Sequence, residues 1–127
     1  MINTRSIGVT PKQFQELIEL PVSGPIQMLN LLKFKEEVEG VSLSGEQAYD
    51  SYLKAAMPFI EKASAKLIYQ GKPLLPVIGP DEKEWDKILI VEYPSKENFL
   101  AMITNENYPK EMRERALEDS RLILCNT

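Results

Sequence analysis

The chain predicts a small α+β domain, with elements in the order β-α-β-β-α-β behind one extra N-terminal helix. Three observations carry that prediction. Four short apolar runs, "IQMLNLLKF", "AKLIYQG", "DKILIVEY" and "RLILC", are separated by segments with helical periodicity. The first two helical segments open on capping residues. The 127 residues, 43% hydrophobic and 27% charged, suit one domain that buries roughly two-thirds of its unfolded surface without staples. Residues 1–25 are read as a helical extension and 26–127 as the core.

Thr10 and Pro11 start the first helix, as capping hydroxyl and first-turn proline. Phe14, Leu17 and Ile18 form its apolar side, and Pro21 stops it. The turn "PVSGP" leads into a strand from Ile26 to Phe34. After a polar loop at 35–44, Ser44 and Gln47 fit a capping box. Tyr49, Tyr52, Ala56, Phe59 and Ile60 then recur at spacings of three and four. Pro58 interrupts this stripe and predicts a kink or break near Lys54, whose carbonyl loses its partner.

Strand two is Ala65 to Gly71. Prolines 73, 76 and 80 then allow only an edge strand or an extended loop. Strand three is Asp86 to Tyr93, opened by Trp85 as a packing anchor. Phe99, Met102 and Ile103 share a helix face after Pro94 and Ser95. Pro109 restarts a helix with Met112, Ala116 and Leu117 inward, and Arg121 to Cys125 is strand four. Without the leading helix this is the ferredoxin-like plan, an antiparallel four-stranded sheet with helices on one face.

Strands one, three and four do not alternate apolar with polar. Met28, Leu32 and Phe34 oppose Leu29 and Leu31; Ile88 and Ile90 oppose Leu89, Val91 and Tyr93; Leu122 and Leu124 oppose Ile123. Helices cover one face, so the other would expose more apolar area than monomers carry. A second copy packed by a two-fold axis is the simplest cover; the N-terminal helix or the proline-rich segment is the alternative.

Composition excludes several function classes. A net charge of −4 with no basic cluster argues against nucleic acid as a partner. No apolar run approaches the ~20 residues of a membrane span, and the first residues lack a signal-peptide core. A single cysteine, Cys125, suits a reducing compartment and a cytoplasmic location. The chain contains no histidine. That removes imidazole bases, Ser-His and Cys-His pairs and the usual zinc and haem sites, so no metal or cofactor is expected.

The stretches "MLNLLKF", "SGEQAYDSYLKAAMP", "EWDKILIVEYPSKENFLAMI" and "NYPKEMRERALEDSRLIL" resemble the domain-of-unknown-function family numbered 1330, over about Ile26 to Leu124. "WDKILIVEYPS" and the run from Tyr108 through Arg115 to Arg121 are its most specific pieces. The resemblance implies a dimeric α+β barrel, two ferredoxin-like protomers joined as a homodimer. It implies little about chemistry, since no activity defines that family. Neighbouring superfamilies include cofactor-free monooxygenases and lactone isomerases. The haem enzymes on the same plan bind iron through histidine, which this chain lacks.

Asn30 and Glu92 interrupt apolar strands and are the leading site residues. Asn30 is either a core amide bonded across the sheet or the polar floor of a pocket. Glu92 is either an ion-pair partner of Arg115 or Arg121, or a general base acting beside a carbonyl. Tyr69 on strand two is the better cavity tyrosine; Tyr52 is a stripe residue whose hydroxyl reaches the rim or a ligand. Two function classes stay open. One is a cofactor-free oxygenase, isomerase or decarboxylase with Glu92 as base and Asn30 or a tyrosine orienting a carbonyl. The other is a dimer that binds a small apolar metabolite without chemistry, or serves structure alone.

Overall fold

Thr10 caps the first helix as its sequence requires, its Oγ1 accepting the Gln13 N–H at 3.1 Å, and α1 runs Pro11–Glu19. The computed structural model describes residues 5–82 and 84–127. No residue of α1 is itself buried. Lys96 holds its far end instead: Nζ donates to the Ile18 carbonyl at 2.8 Å and the Leu20 carbonyl at 2.7 Å. A lysine only 7% exposed is thereby satisfied, on carbonyls where the helix dipole is negative.

The other elements are β1 Ile26–Phe34, α2 Gly45–Lys62, β2 Lys66–Gly71, β3 Lys87–Tyr93, α3 Lys96–Ile103, α4 Lys110–Ala116 and β4 Leu117–Cys125. The strands form one antiparallel sheet in the order β2-β3-β1-β4. This is a small α+β fold of four strands and four helices. Strand β1 is central, with Asn30 opposite Leu89 on one side and Leu122 on the other.

Its two faces differ. Ile26, Met28, Asn30 and Leu32 are buried, whereas Gln27, Leu29 and Leu31 on the reverse are half-buried. The core lies on the first face in two groups. Leu32, Tyr49, Tyr52, Ala56, Leu89, Ala116 and Leu117 form one; Ile26, Met28, Ala63, Tyr93, Phe99 and Met102 form the other. Leu17 and Val22 bring the N-terminal helix onto the second group.

The capping box at Ser44 is complete, the Gln47 N–H reaching Ser44 Oγ at 3.1 Å and the Ser44 N–H reaching Gln47 Oε1 at 2.9 Å. Helix α2 is unbroken through Pro58, against the break predicted near Lys54. Proline removes one backbone bond there, while Phe59 and Ile60 on the following turn pack into the core and hold the helix in register. Gly45 allows the start of α2 to press onto the backbone: its N–H donates to the Lys35 carbonyl at 2.8 Å, and a Cβ would overlap Lys35 and the Ala116 carbonyl.

One further boundary differs from that read in the sequence. Strand β4 begins at Leu117 directly after α4, four residues earlier than expected, so Leu117 is a buried strand residue and not a helical one. Met112, expected inward, is 37% exposed. Between β2 and β3 the proline-rich segment forms no strand, and Leu74, Leu75, Val77 and Ile78 are 72–95% exposed.

Candidate functional site

Strand register decides which of the expected site residues meet. Ile26 lies opposite Tyr93 and Asn30 opposite Leu89, so Leu89, Val91 and Tyr93 share the covered face with Asn30. Glu92 pairs with Gln27 on the reverse face. Asn30 and Glu92 therefore stand on opposite sides of one sheet and cannot act on one carbonyl within a protomer. This corrects the joint catalytic site expected of them.

Glu92 has a different partner from those anticipated: Gln27 Nε2 donates to its Oε2 at 2.8 Å. Arg121 is opposite Leu31, four residues along β1 from Gln27, or roughly 13 Å at strand rise. Its guanidinium pairs with Asp119 at 2.8 Å and stands 5.3 Å over the Trp85 ring, so the expected packing role of Trp85 includes a cation–π contact. Partial burial alone would raise the Asp119 carboxyl. Hydrogen bonds from the Ser6 N–H, Arg121 and the Ser120 N–H outweigh that and hold it below its ordinary value. Arg115 is exposed on α4. Tyr69 is 53% exposed on the edge strand β2, its ring lying across Gly71.

Asn30 and Tyr52 are brought together instead, with a residue the sequence reading passed over. Arg113 on α4 sends a guanidinium N–H to Asn30 Oδ1 at 3.1 Å, while the Asn30 amide donates to the Met28 carbonyl at 3.3 Å. Tyr49 lies close enough to feel the same guanidinium. The Tyr52 and Tyr108 hydroxyls are in direct contact, and Tyr93 lies close enough to feel the same cation. One guanidinium thus sits beneath the helices among Asn30 and four phenols.

Burial pushes the Tyr49 phenol up to about 12, with Tyr52 reinforcing the rise and Arg113 opposing it. Burial likewise raises Tyr52, Tyr93 and Tyr108. All four are neutral at physiological pH, so they donate hydrogen bonds and supply no phenolate base. Among the described residues Arg113 has no carboxylate in ion-pair range.

Aromatic packing shapes the surroundings. Tyr49 and Tyr52 ring centroids are 5.2 Å apart, and Tyr108 meets Tyr52 and Phe59 edge-on at 6.2 and 5.9 Å. Two surface clefts lie elsewhere. One of about 380 Å³ runs along the start of α1, with Arg5, Lys12 and Glu16; another of about 320 Å³ lies between α2 and α3, with Phe59, Lys62 and Asn98. Among the described residues no group of three or more acidic or thiol side chains could hold a metal ion, and no helix is long and apolar enough to cross a membrane.

No family model matches the chain, and no curated protein matches it. Solved structures do, among them two of one protein. The crystal structure of the RPA0582 protein of unknown function from Rhodopseudomonas palustris is 34% identical, covers 98% of this chain and 98% of its own, and superposes with a TM-score of 0.90. The crystal structure of methylated RPA0582 protein, also 34% identical, covers 98% and 96% with a TM-score of 0.91. The chain belongs to the family of RPA0582. That family shares this α+β fold over nearly the whole chain, and the relative is itself described as being of unknown function.

Proposed function

We propose that this RPA0582-family protein is a cytoplasmic homodimer that binds a small, largely apolar molecule beneath the helices of each protomer, at Asn30, Arg113 and the tyrosines. The observation that carries the site is Arg113, a half-buried cation hydrogen-bonded to Asn30 with no carboxylate partner among the described residues. A desolvated charge is costly unless compensated, and an uncompensated one beside neutral donors is the arrangement of a receptor. Beside Asn30 on the same face, Leu122 is 39% exposed, so the helices leave an opening over β4.

The reading favours binding over catalysis. Glu92 is on the other face, and the four phenols near Arg113 are too weakly acidic to serve as bases at neutral pH.

The ferredoxin-like, dimeric barrel form of the proposal is supported by the strand order β2-β3-β1-β4 and by the reverse face of the sheet. There Leu29, Leu31, Ile88, Ile90 and Ile123 form an apolar band, with Arg121 beside Leu31 on β4, between a polar row, Lys66, Glu92 and Gln27, and a charged pair, Lys33 and Asp119. An apolar centre with a polar rim is what an isologous contact needs. Gln27 Oε1 is buried without a partner among the described residues, an acceptor that a second copy could satisfy. The single exposed cysteine and the resemblance to family 1330 fit the same picture of a reducing compartment and a barrel.

Native mass spectrometry of freshly purified protein tests both parts. The expected spectrum is a dimer carrying extra mass that collisional activation releases. A monomer at micromolar concentration would remove the dimer. A bare dimer whose Asn30 and Arg113 side-chain signals respond to no added small molecule would remove the site.

A further inference from the structure

Resting on that reading of the site, we infer that its ligand is a monocarboxylate on an apolar or aromatic body, and that Arg113 is the group that holds the carboxylate. The inventory of donors leads there. A guanidinium has five N–H groups in a planar fork. Asn30 Oδ1 occupies one at 3.1 Å, which leaves donors for a planar oxyanion.

The two touching hydroxyls add one more. Whichever of Tyr52 and Tyr108 donates to the other, the acceptor keeps its own proton to offer. These phenols remain protonated because burial raises them, so the pair stays a donor across the physiological range.

Charge sets the valence of the ligand. The cluster carries one positive charge and no negative one among the described residues, so a monoanion neutralises it, while a phosphate dianion would leave excess charge buried. The side chains packed around the cluster are hydrocarbon and ring faces: Leu32, Leu89, Tyr49, Tyr52 and Phe59. They suit an apolar body on the ligand, and on the same face as Asn30 the β4 residue Leu122 is 39% exposed.

The probes are benzoate and hexanoate, each compared with its neutral amide, benzamide and hexanamide. Binding to the full-length protein is followed by two-dimensional NMR and by melting temperature. The carboxylates are expected to bind about tenfold or more tighter than the amides, the margin of a charge-assisted hydrogen bond. Their affinity stays level between roughly pH 6 and 9, because guanidinium, buried phenol and carboxylate all keep their charge there.

Arg113→Gln abolishes the preference for the acid over the amide, Arg113→Lys retains part of it, and Tyr52→Phe combined with Tyr108→Phe weakens the acids alone. Melting of each variant without probe separates lost folding from lost binding. Should Arg113→Gln fail to fold, the Lys and Phe variants carry the test. Amides binding as well as acids would overturn the carboxylate assignment and leave the pocket standing. No response to any of the four probes, in a folded protein without co-purified mass, would overturn both.

Discussion

Arg113 and Arg115 are two residues apart on α4, and that spacing turns them to different sides of the helix. Arg115 faces solvent while Arg113 reaches Asn30 across the core. Hydrophobicity marks Met112, Ala116 and Leu117 as inward, and of these Ala116 and Leu117 are buried while Met112 is 37% exposed. The helix in fact turns in through Pro109, Arg113 and Ala116, the i, i+4, i+7 set, and only Ala116 of these advertises burial. The four buried phenols give a prediction at the same scale. A phenol raised by folding contributes stability that is whole below its unfolded value of about 10 and is lost as pH climbs towards its folded value. For Tyr49 that upper limit is about 12. Circular dichroism should therefore show the melting temperature level to about pH 9 and falling steeply above about pH 10, with phenolate absorbance from the buried set appearing only as the fold is lost. Phenolate absorbance of all five tyrosines rising together, with structure intact, would contradict their burial.

Helix α1 buries none of its own residues, so its attachment rests on a few points. The strongest is Lys96 from the first turn of α3, with two short bonds to the Ile18 and Leu20 carbonyls. Lys96→Met keeps the length and apolar stem but removes the donor of the Ile18 carbonyl and leaves the Leu20 carbonyl with the Val22 N–H alone. The expected cost is about 1–3 kcal/mol. Hydrogen exchange should place it in α1, whose amides lose protection while β1 and β3 keep theirs. Uniform loss across the sheet would mean that Lys96 supports the core and not the helix. Elements also explain two misread boundaries. Pro58 costs α2 one bond, but flanking residues that pack on the core outweigh it. Leu117 reads equally well as the last turn of a helix or the first residue of a strand, and its pairing with Phe34 is what makes it a strand.

At the scale of the molecule the two faces of the sheet carry different tasks. The covered face holds the core and the Arg113 cluster; the reverse holds the apolar band. Ile90 stands near the middle of that band, opposite Leu29. Ile90→Lys would set a charge at the centre of the proposed contact while keeping a half-exposed position in a lone protomer. Analytical ultracentrifugation should show dimer for the parent and monomer for the variant, with the far-ultraviolet spectrum unchanged. A variant that remains dimeric would move the contact to the segment between β2 and β3.

The sequence by itself determined what short-range interactions determine. The caps at Thr10 and Ser44 each satisfy an N–H three residues away, so they were legible without any knowledge of the rest of the fold. The four strands and the two-sided character of the sheet were legible because a strand's side chains alternate with a period of two. Tertiary structure decided the site. Whether Asn30 and Glu92 share a face depends on the pairing of β1 with β3, and a slip of one residue would have joined them. The partner of Arg113 lies 83 positions away in the chain, at a distance in sequence that no local pattern encodes. Period and capping are properties of neighbours along the backbone, whereas register and side-chain partnership exist only once distant segments have packed.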